Sequence, residues 1–116
     1  MANLKRNIIE LVKEVKEGEI ITQTYYTPPF IPLSVTYQAI DLTAKMEKGT
    51  RENEKMLIDE LVNFVVNDVY KNQFTKEELE NGLHAPTAMD VLSEQLLFVA
   101  RGYQSSETKK SLEKMS

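Results

Sequence analysis

Three prolines fall within the run Thr27-Pro28-Pro29-Phe30-Ile31-Pro32, and that run divides the chain. Each proline fixes its own φ and lacks a backbone N–H, so no helix continues through the run and no central strand includes it. The run must be an extended, stiff connector, with Phe30 and Ile31 as its apolar anchors. What precedes it must form its own local structure.

That preceding stretch permits two readings. Leu4, Ile8, Leu11 and Val15 have helical spacing. Yet Asn7 to Val15 is rich in β-branched residues, and Lys16-Glu17-Gly18-Glu19 is a plausible turn. Ile20 to Thr27 then carries Ile, Thr and Tyr, which favour pleated backbone. Two such runs around a short glycine loop read as a hairpin. The hairpin is the favoured reading of the two.

After the connector the pattern is helical. Ser34 offers an N-cap hydroxyl, and Val35, Ala39, Leu42 and Met46 form one stripe ending at Gly49. Met56 to Tyr70 is apolar most of the way round, which marks a central helix or one covered by a partner. Thr75 with Glu78 is a capping box, opening a short helix that stops near Gly82. Pro86 suits a first helical turn, and Thr87 to Arg101 is helical again, with Ala88, Val91, Leu92, Leu96 and Val99 inward and Gly102 closing it. Tyr103 to Ser116 has only Leu112 and Met115 apolar after its tyrosine, too little to offset the entropy of ordering. The expected fold is α+β and mainly helical: an N-terminal β-hairpin, then about four helices packed in one small domain. Residues 1–102 are the domain, and 103–116 a polar, disordered tail, either mobile or one that orders on binding.

Chemistry is sparse. The chain has 116 residues, no Cys, one His and a formal charge of -4. Without Cys there are no disulfides and no thiolate chemistry, and one His cannot build a structural zinc site. His84 has no nucleophile or triad pattern around it and reads as a loop residue. Asp90 with Glu94, and Asp59 with Asn63, share helix faces but lack the extra oxygen ligands a cation needs; solvated faces explain them. Gly18, Gly49, Gly82 and Gly102 lie at element ends and make no phosphate loop. A helix-turn-helix reading of Thr75 to Arg101 fails on sign, because Asp90 and Glu94 sit where a DNA reader carries basic groups. A net negative surface also repels phosphate. No apolar run approaches the roughly 20 residues of a membrane span, and the charged N-terminus has no signal-peptide core. The expectation is a non-catalytic binding protein without cofactor, metal, nucleic acid or membrane.

Tyr25, Tyr26, Phe30, Ile31, Phe64 and Phe74 are the partner-binding candidates. Core packing is the plainer role for aromatic side chains, but aromatics are also favoured interface anchors. A lone hairpin is barely stable and has open edges, so it must pack on the helices or take a strand from a partner. The expected surface combines the hairpin edge, the Thr27–Pro32 connector and the exposed side of the Met56–Tyr70 helix.

The chain resembles the tail assembly chaperones of long-tailed phages and prophages of Gram-positive bacteria. The residues that carry the likeness are Thr27 to Pro32, then Ala39-Ile40-Asp41-Leu42-Thr43 with Lys45-Met46-Glu47. Leu57 to Val66 follows, with Val69-Tyr70-Lys71-Asn72-Gln73-Phe74-Thr75, and finally Glu78-Leu79-Glu80-Asn81-Gly82-Leu83. Their order and spacing, from about Ile8 to Gly102, carry more than any block alone. The resemblance transfers no catalytic residue. It implies a chaperone that binds the tape measure protein and keeps it soluble until the tail tube polymerises. It further implies self-association into a spiral or ring, displacement by tail tube protein, and a longer form made by frameshifting. The place would be the host bacterial cytoplasm and not the mature virion. The competing readings are a head–tail joining protein, a regulatory adaptor or, without any motif, an enzyme subunit.

Overall fold

A computed structural model describes residues 4–115 of the chain. Strand β1 (Ile8–Lys16) pairs antiparallel with β2 (Glu19–Tyr26), so the first segment is a strand. The turn between them is Glu17-Gly18, with φ of 46° and 83°. Two consecutive positive φ values make the primed turn whose twist matches a hairpin. Alternation explains why strand wins over helix: Ile9 and Leu11 are buried, two apart, whereas Val15, on the competing helical stripe, is exposed. A bulge between Val12 and Glu14 bends the hairpin beyond the part that packs on the helices.

The connector leads straight into helix α1 (Leu33–Glu47), which begins before Ser34. Pro32 is its N-cap, with φ -70° and ψ 154°, and its carbonyl takes the Val35 N–H at 3.0 Å. Ser34 therefore lies inside the helix and caps nothing. The expected stripe of Val35, Ala39 and Leu42 is buried. Gly49 lies past the α1 C-cap Lys48 and is not left-handed; a Cβ there would meet Leu57 Cδ1 at 2.6 Å, so space selects the glycine.

The organising helix is shorter than its apolar run. Helix α2 (Glu54–Phe64) gives way to a π-helical turn at Val65–Val69, where the Tyr70 N–H reaches back to the Val65 carbonyl at 3.0 Å. Widening the turn keeps Val65, Val66, Val69 and Tyr70 all buried. Lys71 and Asn72, both at positive φ, end it. Helix α3 (Lys76–Gly82) starts on the expected capping box: Thr75 Oγ1 accepts the Glu78 N–H at 3.1 Å, and Glu78 Oε1 accepts the Thr75 N–H at 2.9 Å. A 3-10 turn at Ala85–Thr87 precedes helix α4 (Ala88–Arg101), which closes on left-handed Gly102.

The stretch expected from its composition to be a polar tail carries helix α5 (Ser106–Met115). Its start is held locally: Ser105 Oγ accepts the Thr108 N–H at 3.2 Å, and the Thr108 hydroxyl donates to Glu94 Oε2 at 2.8 Å. Capping and one tie to α4 thus shape a segment with little apolar content.

α1, α2, the π turn and α4 pack around one core, with α3 lying along β1. The root of the hairpin joins that core through Ile9, Leu11 and Tyr25. The far half of the hairpin projects from it, and the molecule spans 42 × 40 × 25 Å.

Candidate interaction surface

The six aromatic and aliphatic candidates divide between core and surface. Phe74 and Tyr25 are buried and meet edge to face at 4.8 Å, and Phe74 also lies 5.3 Å from the buried Tyr70 ring. Phe64 is buried in the same core. Tyr26 is half-buried, with the Arg6 guanidinium 5.3 Å from its ring centroid, and its carbonyl accepts the Gln73 side-chain amide at 2.8 Å. Ile31 is partly buried against the core, while its neighbour Phe30 is 65% exposed. The connector thus anchors itself through Ile31 and presents Phe30 outward.

Phe30 does not stand alone. Leu33, Tyr37 and Ile40 on α1 are each more than half exposed, and Ala44 continues the same spacing. At 3.6 residues per turn this second stripe lies about 160° round the helix from the buried one. α1 is therefore apolar on opposite faces, one against the core and the other uncovered. Beside its start, Leu4, Phe30, Ile31, Phe98 and Val99 line an open groove of about 370 Å³ with Lys5 at its rim. The spacing Leu33, Tyr37, Ile40, Ala44 is present in the sequence, but one good core stripe already accounts for the helix and hides it.

A second uncovered apolar group lies on the projecting hairpin, where Val15 and Ile20 form a cross-strand pair and Ile21 is also exposed. α2 contributes less: Leu57, Leu61, Val62 and Phe64 are buried, and Met56 is its large exposed apolar side chain.

The charged groups serve as fasteners. Lys13 Nζ meets Glu78 Oε2 at 2.6 Å and lies 5.1 Å from the Tyr25 ring centroid, tying β1 to α3. That contact, reinforced by the Thr75 N–H, holds the Glu78 carboxyl below its usual range, and the same carboxylate raises the Lys13 ammonium. Asp59 pairs with Lys76, and its second oxygen accepts from Asn63 at 3.4 Å. Glu94 takes the Thr108 hydroxyl, and His84 is exposed in its loop. Among the described residues no group of three or more His, Cys, Asp or Glu side chains is placed to hold a metal ion, and no helix is long and apolar enough to cross a membrane. What the surface presents is an apolar helix face, a short groove beside it, and the exposed far half of the hairpin.

A family model described as phage tail chaperone protein matches residues 3–116. No curated protein and no solved structure matches the chain.

Proposed function

The chain belongs to the phage tail chaperone family, and from that premise we propose that it is a non-catalytic chaperone that binds the tape measure protein and keeps it soluble until the tail tube polymerises. The observation that carries this reading is the second apolar stripe of α1. A helix face of Leu33, Tyr37 and Ile40, extended by Phe30, fits the apolar face of another helix laid along it. From Leu33 to Ala44 on α1 the stripe is about 17 Å long.

Magnitudes favour a contact that is useful yet reversible. Covering four large apolar side chains that are now half to two-thirds exposed supplies only that share of the roughly 1.5–3 kcal/mol that full burial of each is worth. The loss of translational and rotational freedom offsets much of that, at about 4–15 kcal/mol. A single copy then binds weakly, and many copies along one long client bind well by avidity. Self-association along the client would strengthen the array, and incoming tail tube protein could displace the copies one at a time. The place of action in this reading is the host cytoplasm, before the particle is complete.

Co-expression tests it. The tape measure protein should be recovered soluble with the wild-type chain and insoluble with a Tyr37→Glu, Ile40→Glu double variant. That variant should keep its helical circular dichroism and melting temperature, because both positions are exposed. A double variant that solubilises the client as well as wild type would overturn the reading.

A further inference from the structure

The hairpin has one blocked edge and one open edge. On β1, Gly82 of α3 lies so close that a Cβ there would sit 3.2 Å from the Val12 carbonyl, and the Ile8 carbonyl accepts Gln95 Nε2 at 3.0 Å. Among the described residues no helix lies along β2. Its outward backbone groups follow from the pairing. The Thr27 N–H donates to the Asn7 carbonyl, so Tyr25 and Gln23 turn their amides towards β1, and Ile20, Thr22, Thr24 and Tyr26 turn theirs away. Gln73 occupies the Tyr26 carbonyl. The open stretch is therefore residues 20–24, centred on Thr22.

Nothing in that stretch discourages pairing. Edge strands are normally blunted by lysine, proline or inward charge. Ile20-Ile21-Thr22-Gln23-Thr24 has no charge, no proline and strong β preference. The bulge places its extra residue in β1, so the outward amides of β2 alternate without a break. The far half of the hairpin also lacks helix cover, and two strands alone are marginal.

We propose that the open edge of β2 binds β2 of a second copy, antiparallel about Thr22, to give a four-stranded sheet. This pairing rests on the chaperone reading and deepens its self-association. The two-fold arrangement sets Thr22 opposite the partner's Thr22 and Ile20 opposite the partner's Thr24. The two domain bodies then lie at opposite ends of the sheet. Charge also fits. Glu19 falls opposite the partner's Tyr25, and the Glu17-Gly18 turn falls beside the partner's Tyr26, over whose ring the partner's Arg6 lies. No two like charges face each other in the paired stretch. A helical client cannot satisfy a strand edge, so the edge and the α1 stripe require different partners.

The test uses the full chain alone, without client, so that its outcome is separate from that of the α1 reading. Wild type should sediment as a dimer. Thr22→Pro removes an outward N–H while leaving the β1–β2 ladder intact, and should raise the dimer dissociation constant about tenfold or more. Thr22→Lys should weaken it in the same direction by blunting the edge. The chain has no Cys, so a single introduced thiol is a clean probe. Residues paired directly across such a ladder have Cα atoms about 5.5 Å apart, within the range of about 4.4–6.8 Å that a disulfide spans. Thr22→Cys should therefore form a cross-chain disulfide on mild oxidation. Thr24→Cys should not, because its counterpart would be about 14 Å along the strand. A monomeric wild type, equal cross-linking at both positions, cross-linking at neither, or a dimer undisturbed by both Thr22→Lys and a folded Thr22→Pro variant would overturn the proposal. So would a strand from another tail protein occupying the edge of a monomeric chain.

Discussion

Gln95 is where the parts of the chain before and after the proline connector are bolted together. Its Oε1 accepts from Asn7 Nδ2 at 3.1 Å and from the Tyr70 hydroxyl at 2.6 Å, while its Nε2 donates to the Ile8 carbonyl. Asn7 in turn pairs with Thr27 and receives Gln104 Nε2 on its Oδ1 at 3.3 Å. Hairpin root, π turn, α4 and the start of the last linker all meet there. Among the described residues no buried side-chain nitrogen or oxygen is left without a partner, so the network stabilises. Tyr70→Phe removes one bond and leaves Gln95 Oε1 still satisfied by Asn7. Its cost at neutral pH is about 1 kcal/mol. Burial, with the Glu94 carboxylate nearby, pushes the Tyr70 hydroxyl well above its ordinary value. Above about pH 10 the unfolded chain releases that proton while the folded chain keeps it. Wild type therefore loses stability there, a loss the variant lacks. Urea titrations at neutral and alkaline pH should show the gap between the two narrowing as pH rises. None of this network is legible in the sequence. Asn7 follows Lys5-Arg6 and Gln95 follows Ser93-Glu94, so nothing local marks either as buried, and only the fold brings residues 88 positions apart within hydrogen-bonding distance.

Among the elements, those most readable from sequence have local signals. The capping box at Thr75, the glycine end of α4 and the hairpin turn each depend on a few adjacent residues. The π turn is not readable, because Met56 to Tyr70 is apolar most of the way round and the extra residue is selected by packing. Apolar content misses α5, whose start is held instead by a Ser105 cap and a Thr108–Glu94 bond. The exposed α1 stripe has as clear a helical period as the buried one, and periodicity does not say which of two stripes faces the core. Gly82 shows how element contact overrides propensity. Ala is better than Gly in a helix by about 1 kcal/mol, and Gly82 is not at positive φ. A Cβ there would sit 3.0 Å from Leu11 Cβ and 3.2 Å from the Val12 carbonyl. β1 cannot yield, since Leu11 is fully buried and β2 holds its other side. Overpacking of this kind costs about 1–3 kcal/mol. Gly82→Ala should therefore lower stability by about 1 kcal/mol net, visible as a drop of several degrees in melting temperature.

The whole molecule combines uncovered apolar surface with a net charge of -4. These two properties oppose each other in any association of copies. Like-charged bodies repel over a distance set by the ionic strength, about 30 Å at 0.01 M and about 8 Å at physiological salt. Strand pairing and apolar burial depend far less on salt. If copies associate through the β2 edge, the charge is a brake and not the driver. Raising sodium chloride from low to physiological concentration should then strengthen the dimer, as followed by sedimentation. The same holds for client capture through the α1 stripe when the client is also acidic. Association driven by ion pairs would weaken over that range, because salt screens attraction as it screens repulsion. The rim charges of the proposed dimer, Glu17 and the partner's Arg6, pull in that second direction. They are exposed, and such pairs contribute about 0–1 kcal/mol. The balance therefore falls to the net charge. A dimer that dissociates on adding salt would show that these surface charges, and not the strand edge, hold the copies together.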